Sequence, residues 1–317
     1  MRSVHLAAGV VSVRNTPRPP RPEGFALIRL LAGGICNTDL ELQRGYYGFR
    51  GVPGHEFVGE VVEAENPALI GKRVVGEINL ACGHCEWCAR GLGRHCPTRT
   101  VLGIVKHPGA FREFLTLPEA NLHVVPTGLS TERAVFTEPL AAACEILDQV
   151  RIPRDAGVAV LGDGKLGLLI AQVLHGHGAR VHHFGRHREK LRISDAAGIA
   201  TELTGKRPPV AAYDWTVDAT GSPEGLRQAV AMTRPRGTLI LKSTVHGLVP
   251  VDAAPIIVNE ITLVGSRCGR FEPALKLLRN GRVNVDSMIS AEYLLSDASA
   301  AFDHAAQKGV MKVLLRP

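Results

Sequence analysis

The sequence predicts an α/β protein of two domains, a compact barrel-like β domain followed by a doubly wound parallel sheet. Three observations carry this reading. Short apolar runs punctuated by glycine and proline fill the chain as far as Leu117. From near Thr137 strand-like and helix-like segments alternate to about Gly265, the pattern of a parallel sheet with crossover helices. A glycine-rich turn, GDGKLG, lies directly between one such strand and its helix. At 317 residues the chain exceeds a typical single domain, so each half can bury a core of its own.

In chain order, residues 4–13 and 25–31 are β-like, and TPRPPRPEG between them is a proline-broken connector that cannot join a ladder. Residues 56–62, 73–78 and 111–117 continue the β pattern. EPLAAACEILDQV then places apolar residues at helical spacing. Residues 158–161, 179–184, 215–218 and 238–241 read as strands, and 165–175 and 189–197 as helices. The tail contains amphipathic helices around 274–278 and 298–306 and a closing strand, VMKVLL. No internal repeat or low-complexity tract stands out.

Composition narrows the function classes. The balance of 37 Lys+Arg against 30 Asp+Glu gives +7, a modest excess that favours anionic substrates or cofactors. Aromatics are only 5% and no dense Lys/Arg run occurs, which argues against nucleic-acid binding. MRSVHLAAGVVSV lacks the pattern of a secretory signal, and no stretch has the length of a membrane span, so a cytoplasmic protein without membrane partners is expected. Of seven cysteines, Cys144 and Cys268 sit among apolar neighbours and read as small buried side chains.

Cys82, Cys85, Cys88 and Cys96 follow as C-x2-C-x2-C-x7-C. Four crowded thiols on one loop close a tetrahedral zinc cage; a disulfide knot and a redox C-x-x-C pair are the alternatives. This stretch, together with GGICNTDLEL, VPGHEFVGEVVE, GAFREFLTLPEANLHVVP, TEPLA and LGDGKLGLL in that order, resembles the zinc-containing medium-chain alcohol dehydrogenases over nearly the whole chain. The resemblance implies a GroES-like catalytic domain made of residues 1–137 and 267–317, with a zinc lobe at 79–97, and a Rossmann domain at 138–266. It also implies two Zn²⁺ ions per chain and a homodimer or homotetramer.

The dinucleotide reading rests on context. Gly162, Gly164 and Gly167 supply a tight turn, close approach of a pyrophosphate and helix-on-strand packing, while Lys165 and Leu166 open the helix whose amides face the phosphates. The carboxylate that ends the second strand to grip an adenosine ribose is missing. Gly185, Arg186 and Arg188 occupy that stretch, which favours NADP(H) over NAD(H), since arginine forks suit a 2′-phosphate; the alternative is that both arginines decorate an exposed helix start. His182 and His183 read as packing residues. Thr220, in the turn DATG, borders the cofactor in the resembling family, though a simple tight turn explains the glycine as well.

Cys36, His55, Glu56 and Glu138 would each read alone as a buried or hydrogen-bonded side chain. The resemblance places all four around a catalytic zinc and leaves open which glutamate binds directly. Thiolate and carboxylate offset the dication, imidazole supplies a nitrogen ligand, and one coordination position stays open for an alcohol or carbonyl oxygen. Thr38 matches the hydroxyl of the family's proton relay, with a turn hydroxyl as the alternative, and Asp39 is expected to orient His55. Glu41 stands where the animal-liver type carries the histidine that completes the relay, and the chain is shorter than most relatives. The implied activity is zinc-dependent hydride transfer between an alcohol, first among them a polyol, sugar or other hydroxylated substrate, and NAD(P). An NADPH-dependent aldehyde or ketone reductase, and a non-catalytic zinc-stabilised binding or redox-sensing protein, are the alternatives.

Overall fold

The apolar run at residues 25–31 continues in the structure to an eleven-residue strand, β3 (Phe25–Ile35), because Ala32, Gly33 and Gly34 are small enough to lie between crowded neighbours. The structure is a computed structural model that describes residues 1–205, 208–243 and 249–317. Two compact units emerge from its contacts. The first comprises Met1–Glu138, Phe271–Arg279 and Met288–Pro317, and the second Pro139–Arg270 and Asn280–Ser287.

In the first unit β1 (Arg2–Ala7) and β2 (Val10–Asn15) form an antiparallel hairpin, so the β-like stretch at 4–13 folds back on itself at Ala8–Gly9, both at positive φ. After β3 come α1 (Asn37–Gln43), β4 (Glu56–Glu63), β5 (Arg73–Gly76), β6 (Asn79–Leu80), α2 (Glu86–Ala89), β7 (Thr100–Leu102), β8 (Lys106–His107), β9 (Phe114–Pro118), β10 (Leu122–Val124) and α3 (Thr131–Ala134), while α4 (Thr137–Gln149) starts at the end of this segment and has all but its first two residues in the second unit. β6 and β7 pair antiparallel and close the base of the cysteine loop. Residues 109–111 lie outside any named strand, with a bend at Ala110. Their N–H groups donate to the carbonyls of Val52, Gly54 and Pro53.

The second unit contains β11 (Gly157–Leu161), α5 (Lys165–His177), β12 (Arg180–Gly185), α6 (Arg188–Ala196), β13 (Ala200–Leu203), β14 (Tyr213–Asp218), α7 (Pro223–Met232), β15 (Thr233–Leu241), α8 (Ala254–Val258) and β16 (Thr262–Gly265). Among the described residues its sheet is six-stranded and parallel, in the order β13-β12-β11-β14-β15-β16. This doubly wound order reverses between β11 and β14, where such sheets bind ligands at the strands' carboxyl ends. The apolar faces of β11, α7 and β15 meet in a core that includes Ala159, Leu161, Ala229, Met232 and Leu239. β13 is mostly exposed and carries no apolar alternation, which is why it shows no strand pattern in the sequence; its place comes from backbone pairing with β12.

The chain then forms α9 (Phe271–Arg279), β17 (Ile289–Leu294), α10 (Ala298–Ala305) and β18 (Lys312–Arg316) in the first unit. Its main sheet runs β10-β5-β4-β3-β18-β17, with β9 also on β3. The closing strand thus lies against β3, Leu314 opposite Gly34, and Gly34 is opposite Glu56 on the other side. That row of three strands builds the site described next. Cys268 is half-buried rather than buried, whereas Cys144 is buried and its thiol is pushed up to about 12 by desolvation.

Candidate active site

Cys36 leaves the end of β3 and caps α1, while His55 directly precedes β4 and Glu56 begins it. Their ligand atoms all lie within 4.8 Å of one another. Asp39, fully buried in the first turn of α1, ties the two segments together: Cys36 N–H donates to its Oδ2 at 2.8 Å and Gly54 N–H to its Oδ1 at 3.1 Å. The expected Asp39–His55 relation is an ion-pair contact, with Nδ1 3.5 Å from Oδ1 and no hydrogen-bond geometry. Burial works to lower the pKa of His55, and the carboxylate of Asp39 with the sulfur of Cys36 outweighs it and raises it well above the ordinary value. Thr38 Oγ1 is 3.9 Å from Cys36 Sγ. Glu41 turns to an ion pair with Arg44 at 2.6 Å, one turn along α1. Glu138 stands in the first turn of α4 and is not part of the trio.

A residue not foreseen in the sequence completes this centre. Lys312, the first residue of β18, is 1% exposed and its ammonium pairs with Glu56 Oε2. It also lies 5.7 Å above the Phe136 ring. Desolvation disfavours its charge, yet the facing Glu56 and Cys36 raise its pKa, so it stays an ammonium. Gly34 makes the meeting possible. A Cβ there would stand 2.7 Å from Glu56 Oε2 and 3.1 Å from Lys312 Cδ. The available signal was a lone cation inside an otherwise apolar closing strand.

The trio fits a zinc ion by its donors: a sulfur, an imidazole and a carboxylate, with His55 Nδ1 and Glu56 Oε1 buried and without hydrogen-bond partners. In the cysteine loop, Cys82–Cys88, Cys85–Cys88 and Cys85–Cys96 sulfurs are 3.9, 3.5 and 3.8 Å apart. Four sulfurs at ~2.3 Å from a tetrahedral zinc stand about 3.8 Å from one another, so the loop has the dimensions of a zinc cage. All four are free thiols rather than disulfides. Backbone donors from His84 and Cys85 pull Cys82 down to about 5, while burial pushes Cys88 up to about 11. A dication is what lets all four ionise together.

In the second unit the three glycines meet three different demands. Gly162 has φ +115° and a Cβ there would lie 2.4 Å from Ala219 O; a Cβ on Gly167 would lie 1.8 Å from Gly162 O. At Gly164, the cap of α5, a Cβ would meet nothing within 4 Å, and no side chain caps the helix. The turn therefore presents open backbone at a helix N-terminus, as a pyrophosphate requires. Lys165 and Leu166 follow as its first helical residues. His183 packs, as expected, with its ring between Ser194 Oγ at 2.8 Å and Gly162 O at 2.9 Å.

Gly185 ends β12, and Arg186 and Arg188 lie on either side of the α6 cap. The carboxylate that does reach this strand end is Asp163, from the glycine turn itself. Its Oδ2 accepts from the N–H groups of Arg186 and His187, both at 2.6 Å, and lies 3.0 Å from His187 Nδ1. Burial works against that charge, and the bonds from His187 and Arg186 more than offset it, lowering the pKa of Asp163. Thr220 turns its hydroxyl onto Asp218 Oδ1 at 2.7 Å, and its N–H donates to the same oxygen at 3.0 Å.

Residues 22–127 match the family described as "Alcohol dehydrogenase GroES-like domain" and residues 166–280 that described as "Zinc-binding dehydrogenase". An L-threonine 3-dehydrogenase of Streptomyces avermitilis is 31% identical over 95% of this chain and 94% of its own. The chain belongs to the zinc-containing medium-chain alcohol dehydrogenases. A sorbitol dehydrogenase of Halalkalibacterium halodurans, 29% identical over 98% of this chain and 96% of its own, places it in the polyol dehydrogenase branch. A zinc-binding dehydrogenase of Sinorhizobium meliloti bound to NADP superposes with a TM-score of 0.91 at 28% identity, covering 100% of this chain and 99% of that one. This alcohol dehydrogenase is thus an oxidoreductase that uses zinc and NAD(P). No helix among its described residues is long and apolar enough to cross a membrane.

Proposed function

We propose that this dehydrogenase oxidises a polyol, sugar alcohol or similarly hydroxylated substrate with NADP⁺ in preference to NAD⁺, using two zinc ions per chain. The observation that carries the reading is the convergence of Cys36, His55 and Glu56, with Glu56 Oε1 buried and unpartnered. The names of the sorbitol and threonine dehydrogenases support the substrate class. When bound, zinc supplies Lewis acidity to an alcohol or carbonyl oxygen and NADP(H) supplies the hydride carrier.

The chain's own residues do the rest. Cys36, His55 and a carboxylate, from Glu56 or Glu138, hold the catalytic metal, and Asp39 fixes the spacing of the two segments that bear Cys36 and His55. Lys312 holds Glu56 Oε2 and leaves Oε1 as the free acceptor. Thr38 carries the hydroxyl proton away from the reacting oxygen. Cys82, Cys85, Cys88 and Cys96 hold the structural zinc. Gly162, Gly164, Lys165, Leu166 and Gly167 cradle the pyrophosphate, Gly185, Arg186 and Arg188 receive the 2′-phosphate, and Thr220 shapes the neighbouring turn. The NADP bound to the Sinorhizobium meliloti protein supports that cofactor.

Exposed Ile257, Val258 and Leu263, at and beside the edge strand β16, support a homodimer in which that edge is covered by a second copy. The cytoplasm is the proposed compartment. A panel of polyols, simple alcohols and carbonyls, followed by NAD(P)H absorbance, tests the whole reading. Turnover fastest with a polyol and NADP⁺ is expected; turnover confined to simple aldehydes with NADPH would replace it with the reductase reading.

A further inference from the structure

Among the described residues, a buried cation without an ion-pair partner lies beside the β1–β2 hairpin. Arg112 is 7% exposed, and among the described residues its guanidinium has neither a hydrogen bond nor an ion pair. Desolvation alone pulls its pKa down to about 10. A charge taken out of water in this way costs several kcal/mol unless something compensates it.

The strand register shows what surrounds it. Ser3 is bridged to Arg112 on one side and paired with Arg14 on the other, and His5 is paired with Ser12 two residues along. Directly opposed residues in an antiparallel ladder project to the same face, and so do residues two apart. Arg112, Ser3 and Arg14 therefore form one row, with His5 and Ser12 beside it. Thr16 extends the same face of β2, held by mutual backbone bonds with Met1 at 2.9 and 2.8 Å.

Four buried side-chain atoms here lack any partner: Ser3 Oγ, His5 Nε2, Thr16 Oγ1 and Arg112 Nε. Burial, then Arg14, then Arg112 lower the pKa of His5, which places a neutral imidazole close to both cations. Glu113, the adjacent carboxylate, projects to the opposite face and pairs with Arg2 at 2.8 Å.

We propose that this face binds a small oxyanion of the phosphate or sulfate type, seated on Arg112 and reached by Arg14, Ser3, His5 and Thr16. Two guanidinium forks, two hydroxyls and an imidazole N–H offer donors from three chain segments. Such a set matches an anion with several acceptor oxygens better than a halide. The site is built from none of the residues assigned to zinc or to the dinucleotide.

The test is calorimetric titration of inorganic phosphate into the zinc-loaded protein at constant ionic strength, repeated with Arg14→Gln, Ser3→Ala and Arg112→Gln. One equivalent of bound phosphate is expected to disappear in Arg112→Gln and to weaken about tenfold in Arg14→Gln, the loss of one charge-assisted contact. If Arg112→Gln fails to fold, Arg14→Gln and Ser3→Ala still decide, because Arg14 is exposed and Ser3 is a small change. Phosphate binding that is the same in wild type, Arg14→Gln and Ser3→Ala overturns the proposal. So does a wild-type protein that binds no phosphate, or that takes chloride as strongly.

Discussion

Lys312 on the closing strand and Glu56 at the start of β4 form a buried ion pair across β3, at 1% and 0% exposure, in the space that Gly34 leaves open. Residues 256 positions apart thereby fix one carboxylate oxygen and leave the other, Oε1, buried and without a hydrogen-bond partner. Removing one partner of such a pair strands a buried charge.

Lys312→Met is therefore expected to destabilise the protein by about 3–5 kcal/mol, and Lys312→Met combined with Glu56→Gln by much less, because no ion is then left unpaired. Denaturant unfolding of the wild type and the two variants checks this. A double variant as unstable as Lys312→Met alone would show that packing, not charge, holds the strand.

Much of this arrangement is legible in the sequence, for physical reasons that differ by residue. The cysteine loop is legible because four ligands on one short segment need no tertiary information. The glycine turn is legible because its strand and helix flank it directly. Cys36 and His55 lie on different segments, and only the family pattern brings them together before folding does. Lys312 carries only a weak local signal, a lone cation within VMKVLL, because its partner comes from a strand two positions away in the sheet. Asp163 is not legible for a related reason. The sequence pattern calls for a carboxylate on the end of β12 itself, whereas the fold delivers one there from the glycine turn.

The two metal sites predict opposite phenotypes. Cys36→Ser or His55→Ala should reduce kcat/KM by about a thousandfold or more while leaving the fold intact, since several kcal/mol of charge stabilisation disappear with the open site. Cys85→Ser should mainly lower thermal stability, since a structural zinc contributes folding energy directly. Elemental analysis alongside circular dichroism distinguishes them: each variant should lose one zinc equivalent, and only Cys85→Ser should shift the melting curve strongly.

Arg186 and Arg188 set the cofactor prediction. If they receive the 2′-phosphate, Arg186→Ala and Arg188→Ala should each raise the KM for NADP⁺ by roughly 10- to 100-fold, the worth of a charge-assisted hydrogen bond of about 1.5–3 kcal/mol, and leave NAD⁺ nearly unchanged. Equal losses with both cofactors would instead assign them to the exposed start of α6.

Asp163 carries the pH dependence. Its folded-state pKa is depressed, so its bonds to Arg186 and His187 contribute stability above the unfolded carboxylate value of about 3.9, and that contribution is lost as pH falls through the lower folded value. Asp163→Asn keeps an acceptor oxygen but no charge, and at pH 7 it should cost about 1–3 kcal/mol. Because the asparagine does not titrate, the difference between the two proteins should shrink as pH falls below about 4. Urea unfolding at a series of pH values measures that difference. A gap that stayed open well below pH 4 would mean that the carboxylate acts through its shape against Gly185, where a Cβ would lie 2.6 Å from its own, rather than through its charge.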